Sequence, residues 1–432
     1  MATSRTSGSV AATSAASDVE ALLAAAALRS SDSLETGRYL VTFKDGAVDQ
    51  GLSALRAQGM RAADARDFDD QAIRPEDVGD AEAVIFPEIG VALIGGDAFA
   101  ERGMSLQAEI ASDDPAEVIE PEYFVFADSV SADYLRGFSK AAAVIQHDLG
   151  MNGALDAEDE DVSAEVLGAT WGLIVTKAAA SLRSGAGIRV AVLDTGMDLG
   201  HPDFAGRQIF GSSFVGQPVQ DLHSHGTHCI GTACGPKSPA GLTPRYGIAH
   251  KAPIFVGKVL TNSGGGTTAS VLAGMNWAIA NRCAVISMSL GSRAPVQAAY
   301  TAAGRAALNA GCLIVAAAGN EAINTGAPAN SPTILAVASL DRSLTPSIFS
   351  NFGKIEIAAP GRDVYSSEPM PRRYGFKSGT SMATPHVAGI AALWAESNPG
   401  LRGQALWNKL LAAARPLPLP ATRVGRGLVQ AP

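Results

Sequence analysis

Basic tracts, long apolar runs and cysteines are all scarce in this chain, and each scarcity excludes something. Lys and Arg number 33 against 42 Asp and Glu, a formal net charge of -9. No lysine- and arginine-rich stretch offsets it, so no nucleic-acid partner is expected. No segment approaches the roughly 20 consecutive apolar residues that a bilayer span takes, so no membrane partner is expected. The apolar run nearest the start, Ala21 to Leu28, follows Asp18 and Glu20, with only Arg5 as a basic residue before it. A standard secretory signal needs a basic segment there. Storage inside the cell or non-classical export is therefore the expectation, with action outside the cell still open. Of the four cysteines, Cys229 and Cys234 are five apart and would face different ways on a helix, so they do not bridge. Cys283 and Cys312 each open an apolar run. They are buried thiols or, if those runs are adjacent strands, a disulfide.

Hydrophobic residues make up 47% and charged ones 17%, the balance of a core-forming protein. The 432 residues leave room for a large domain and a smaller one. Residues 1–37 read as a flexible leader with a short helix around Val19 to Leu28. Residues 38–128 alternate strand and helix: Arg38 to Phe43 extended, Val48 to Gly59 helical, Ala83 to Phe86 and Gly90 to Ile94 extended, Ala98 to Ala111 helical, Val118 to Ala127 extended. That order describes a small α+β, ferredoxin-like domain with an antiparallel sheet. Residues 129–169 form a linker with a possible helix over Tyr134 to Leu149 and an acidic run, Asp156 to Asp161, read as solvated. In 170–432, apolar strands (Arg189 to Asp194, Ile254 to Leu260, Val285 to Leu290, Leu313 to Ala318, Ile334 to Ala338) alternate with helices. The helices are expected at His225 to Ala233, Ser270 to Asn281, Val296 to Ala310 and Thr380 to Ser397. This predicts an α/β fold: a parallel sheet covered by helices on both faces, its active groups at the carboxyl ends of strands.

One stretch concentrates chemical potential: Gly379-Thr-Ser-Met-Ala-Thr-Pro-His386. Ser381 lies at a helix start, where backbone N–H groups favour negative charge, and Pro385 is expected in the first turn. A serine hydroxyl becomes a nucleophile when a histidine takes its proton and a carboxylate holds the imidazole. Asp194 ends a strand in Leu193-Asp-Thr-Gly196, and His225 opens a helix in Ser224-His-Gly-Thr-His228. Asn320, in Ala316-Ala-Ala-Gly-Asn320, also stands at a strand's carboxyl end, where its amide and the Ser381 N–H would stabilise an oxyanion.

These motifs resemble the subtilisin-like serine proteases, the subtilases, over about Trp171 to Gln430. Asp194-Thr-Gly196, His225-Gly-Thr-His228 and Gly379 to His386 are intact and in the family's order. The resemblance implies an endopeptidase in which Asp194 orients the imidazole, His225 is base then acid, Ser381 attacks and Asn320 holds the oxyanion. His228 and His386 are then structural. It further implies that Gly264, Gly265 and Gly266 form one peptide-binding edge and Ser289, Leu290 and Gly291 the other. Ala317, Ala318, Gly319 and Gly326 complete the pocket for the side chain preceding the cut, with no acidic residue expected in it, so a bulky apolar side chain is the expected preference. His223 is read as a rim residue. Cys229 is similar to the thiol beneath the catalytic histidine in the proteinase K branch. Residues 38–128 resemble the family's inhibitory propeptide, through Tyr39 to Phe43 and Val118 to Tyr123, so the chain's own front domain is an expected partner, alongside protein or peptide substrates. The maturation cut falls near Ala127-Asp128 or within the linker. No cofactor is needed for chemistry. The family's strong calcium loop corresponds to Gly235 to Gly241, which has no carboxylate or amide ligand. Only Asp203 and Glu356 remain as candidates for a structural ion. A monomer is expected. The alternatives are a dedicated processing protease and, in another class, a non-catalytic peptide-binding homologue.

Overall fold

The computed structural model describes residues 18–28, 33–73, 77–104, 106, 113–127, 168–241 and 243–432. The expected helix at Tyr134 to Leu149 and the acidic run at Asp156 to Asp161 lie outside them.

A helix, α1 (Val19–Ala27), comes first, with Asp18 accepting from the Glu20 N–H as its N-cap. This is the short helix expected around Val19 to Leu28, and it is packed. Val19, Leu22, Leu23 and Ala26 are buried with Phe124, Phe126 and Val215 from two distant parts of the chain.

The front domain follows as β1 (Glu35–Phe43), α2 (Val48–Ala57), β2 (Ala62–Asp64), β3 (Ala83–Phe86), β4 (Val91–Ile94), α3 (Gly96–Glu101) and β5 (Ala116–Phe126). β1 lies antiparallel between β4 and β5, and β3 antiparallel to β4. The short β2, not expected from the sequence, joins β3 in parallel. α3 stops well before Ala111. Gly103 takes a positive φ of 62°, and the Met104 N–H returns to the Phe99 carbonyl, a glycine-terminated helix end.

The large domain comprises α4 (Trp171–Val175), β6 (Val190–Asp194), β7 (Ile209–Ser213), α5 (His225–Cys234), β8 (Ile254–Lys258), β9 (Gly265–Thr267) and α6 (Thr268–Ala280). Then come β10 (Val285–Met288), α7 (Ala298–Asn309), β11 (Leu313–Ala317), β12 (Leu335–Leu340), β13 (Ile357–Pro360), the hairpin β14–β15 (Val364–Ser367, Tyr374–Lys377), α8 (Thr380–Ser397), α9 (Gly403–Ala413) and α10 (Ala421–Val424). Seven parallel strands run in the order β13-β12-β11-β10-β6-β8-β7. Alternate residues feed two cores. Ala191, Leu193, Ile286 and Ile314 face the α6–α7 side, while Val190, Val192, Val285 and Leu313 face the α5–α8 side. Both faces being covered explains the unbroken apolar runs. β7 escaped sequence reading because it is a half-exposed edge strand, Ile-Phe-Gly-Ser-Ser, without such a run. β13 (Ile-Ala-Ala-Pro) is too short and too proline-marked to stand out.

β10 and β11 are neighbours, so Cys283 and Cys312 do begin adjacent strands. All four cysteines are nevertheless buried free thiols.

The two domains share backbone. β5 pairs antiparallel with β9, Val125 opposite Gly266 and Phe126 opposite Gly265. Glu120 accepts from the Ala298 and Ala299 N–H groups at the start of α7 (3.0 and 2.8 Å). Glu122 accepts from the Ala269 N–H at the start of α6 (3.0 Å) while paired with Arg38 at 2.7 Å. Two front-domain carboxylates therefore satisfy unpaired donors at helix N-termini.

Candidate active site

Asp194 ends β6, the strand flanked by β8 and β10 where the sheet's order reverses, the expected position for a ligand site. Its Oδ1 accepts from the Thr195 N–H at 2.7 Å and lies 2.8 Å from His225 Nδ1. His225 is the first residue of α5, after Ser224 in a left-handed conformation (φ 83°). That turn is held by Asp221, whose Oδ1 accepts from the His223 and Ser224 N–H groups and from Thr195 Oγ1. Its Oδ2 accepts from the Thr227 N–H and hydroxyl. The sequence alone did not single out Asp221. Asp194 and His225 are 1% and 2% exposed. Burial lowers the His225 pKa, but the Asp194 carboxylate outweighs it and holds the imidazole well above its ordinary value.

Ser381 is the second residue of α8. Pro385 lies in the second turn of that helix, not the first, and the displacement has a consequence. Proline offers no N–H to the carbonyl four residues back, which is that of Ser381. That oxygen accepts instead from Ser289 Oγ at 2.7 Å and from Cys229 Sγ at 3.5 Å. The same Cys229 sulfur lies 3.9 Å from His225 Nδ1, so one buried thiol touches both segments. Burial raises its pKa, so it stays protonated. His228 and His386 bond the carbonyls of Val364 and Met382. Burial lowers their pKa values to about 3 and about 4, so both stay neutral.

The cleft is occupied by the chain's own front domain. The Ala127 N–H donates to the Gly264 carbonyl at 2.9 Å, and Phe126 exchanges both backbone bonds with Gly291 at 3.0 Å. Ser381 Oγ donates to the Ala127 carbonyl oxygen at 3.3 Å. Residues 124–127 are thus an extended peptide between the edges at Gly264 to Gly266 and Ser289 to Gly291, with the Ala127 carbonyl at the serine. Asn320 lines the same cleft. Its Oδ1 accepts from the Thr380 N–H and hydroxyl at 2.7 and 2.9 Å, leaving the amide hydrogens for an acceptor in the cleft.

Leu290, Gly291, Ala317, Ala318, Gly319 and Gly326 line a cleft beyond Ala127. Its walls are not wholly uncharged: Glu321 and Arg293 line it too. Glu321 Oε2 accepts from the Asn320 N–H and Asn351 Nδ2 (2.9 and 3.0 Å), and Oε1 lies 4.0 Å from Arg293. Glu321 directly follows Asn320, so adjacency was the signal available in the sequence. His223 packs edge-on to His225, ring centroids 6.2 Å apart.

The residues considered for calcium do not fit a hard cation. Asp203 accepts from Tyr246 at 2.6 Å, Arg373 at 3.0 Å and Tyr374 at 2.9 Å. Glu356 pairs with Lys354 at 2.8 Å and accepts from the Ala336 N–H. Protein donors occupy both Asp203 oxygens, and on Glu356 both bonds fall on Oε2, which leaves a single carboxylate oxygen where a hard cation needs several.

A parallel sheet of this order, with helix-borne serine and histidine beside a strand-end aspartate, defines a serine endopeptidase of subtilisin-like α/β fold. The family model for the Subtilase family matches residues 185–427, and the chain belongs to that family. It is 38% identical to M-protease of Shouchella clausii over 281 residues, 63% of this chain and 72% of that protein. It is 41% identical to a thermostable alkaline protease of Halalkalibacterium halodurans over 253 residues, 57% of this chain and 67% of the relative. Subtilisin Savinase of Lederbergia lenta is 38% identical over 268 residues, 60% of this chain and 96% of its own. The crystal structure of a cold adapted subtilisin-like serine proteinase aligns with a TM-score of 0.53 at 33% identity, covering 62% of this chain and 99% of that one.

Proposed function

We propose that this enzyme is made as a zymogen and that its first substrate is its own chain, cut after Ala127. The observation that carries the reading is the Ala127 carbonyl at the Ser381 hydroxyl, with backbone pairing on both sides. In this mechanism His225 takes the Ser381 proton, and Asp194 holds and stabilises the imidazolium. Ser381 Oγ bonds to the Ala127 carbonyl carbon, and the oxyanion is met by the Asn320 amide and the Ser381 N–H. The proton then passes from His225 to the leaving amine of residue 128. Water, deprotonated by the same imidazole, hydrolyses the acyl-enzyme. The freed front domain remains bound as an inhibitor until it is digested, and the mature enzyme acts as a monomer without a metal.

On other proteins we propose broad cleavage, with a preference for a bulky apolar residue before the cut. Backbone pairing supplies most contacts and demands little sequence. The small residues Gly291, Ala317, Gly319 and Gly326 line the cleft beyond Ala127 and leave its wall open to a larger side chain. Ser381→Ala tests the reading on electrophoresis and a peptide assay. The expected outcome is an intact 44.1 kDa chain with peptide hydrolysis reduced at least 10⁴-fold. Self-cleavage at the original rate would overturn it.

A further inference from the structure

Lys258 ends β8 with 0% of its surface exposed, where an uncompensated charge costs several kcal/mol. Among the described residues, its hydrogen-bond acceptors are both neutral. Nζ donates to the Thr195 carbonyl and, at 2.9 Å, to Asn262 Oδ1. These acceptors belong to the two segments that a peptidase must hold in register. Thr195 follows Asp194, donates its N–H to that carboxylate at 2.7 Å, and through Oγ1 bonds Asp221 and the Gly226 N–H. Asn262 also accepts from the Leu222 N–H at 3.2 Å. Two residues further on, Gly264 offers the carbonyl that takes the Ala127 N–H.

We propose that Lys258 is a positioning residue: its buried ammonium ties the Asp194 turn to the peptide-binding edge and balances the carboxylates of Asp194 and Asp221. The charged groups acting on it are Asp221 before α5, Asp194 on β6 and Glu20 on α1. On the far side of Asp194 stand His225, Cys229 and His228 of α5, with Lys377 of β15 acting on His228. Burial lowers the Lys258 pKa to about 8 against those three carboxylates, so it carries its charge at neutral pH. The inference rests on the Asp194–His225–Ser381 reading.

The test compares the full chain with Lys258→Met and Lys258→Gln, measuring kcat, KM and the pH profile of kcat/KM on a peptide after self-processing, with thermal melting as a check on folding. Removing the cation makes the imidazolium easier to form. Both variants should therefore move the acid limb upward by about half a pH unit or more, with kcat down about tenfold and KM raised. Lys258→Gln retains a donor and should recover part of the kcat loss without restoring the limb. A merely structural role would lower the melting temperature and leave the limb in place, which would overturn the proposal. So would unchanged kcat, KM and limb in a folded variant. If Lys258→Met does not fold, Lys258→Gln decides. Hydrolysis retained by Ser381→Ala would instead defeat the triad reading, while a shift at Lys258 would still be read on its own.

Discussion

His225 lies between opposing influences, and their balance sets when the enzyme works. Burial favours the neutral ring and the Asp194 carboxylate favours the imidazolium; the carboxylate prevails. Only the neutral ring accepts a proton, so kcat/KM is low below the raised pKa and climbs through it. The acid limb of the pH–rate profile should therefore lie well above 6.5, and Asp194→Asn should lower kcat by about 10⁴. A limb near or below pH 6.5 would contradict this balance. Asp203 makes a second prediction at this scale. Burial raises its pKa, but bonds from Tyr246, Arg373 and Tyr374 more than compensate, and the net direction is down from 3.8. A lowered carboxyl contributes stability above its unfolded pKa and loses it as pH falls through the folded value. Urea unfolding from pH 6 to pH 2 should show that loss, and Asp203→Asn should flatten it. Tyr246→Phe should cost about 2 kcal/mol at neutral pH by removing a charge-assisted bond. Adding a chelator should not move the melting temperature of the native chain.

At the scale of elements, α1 adds a second piece to the proposed inhibitor. Its apolar face covers Phe124 and Phe126, the fourth and second residues back from the proposed cut if Ala127 is the first. An added Cβ at Gly265, which pairs with Phe126, would come within 2.8 Å of Leu23. Glu20 accepts from Gln217 of the large domain at 2.8 Å. Burying Leu22 and Leu23 stabilises the docked state by about 1.5–3 kcal/mol each. Leu22→Asp with Leu23→Asp should leave both domains folded, because neither residue belongs to a domain core. The double variant should shorten the lag between self-cleavage and full peptidase activity at least tenfold. An unchanged lag would make α1 a bystander.

At the scale of the whole molecule, the geometry predicts an order of events. Ala127 already sits in the chain's own cleft, so the proposed first cut should be intramolecular. Its rate should not depend on protein concentration, and the new N-terminus should be Asp128. Sequencing of the processed form and a dilution series check both; a rate proportional to concentration would refute the intramolecular step.

Much of this was legible without coordinates. Ser381, His225, Asp194 and Asn320 each stand in a glycine-flanked motif at a strand end or helix start, because tight turns that expose a side chain constrain the local sequence. The apolar strands were legible because a sheet covered on both faces needs them. Harder to read was whatever depends on a partner far along the chain. The Ala-rich helix over Val19 to Leu28 is legible, but its packing is not: Phe124, Phe126 and Val215 come to its apolar face only on folding. Pro385 suits a first turn by local rules, and its place in the second turn depends on Ser289 and Cys229, which bond the freed Ser381 carbonyl from elsewhere in the chain. Glu321 and Arg293 entered the cleft, and Lys258 came between the Asp194 turn and Asn262, by packing alone. The sequence by itself determined the candidates for the chemistry, since nucleophile, base and carboxylate are local motifs. Only the tertiary structure decided what lies against them, because burial, charge balance and an occupied cleft are relations between segments that no local pattern records.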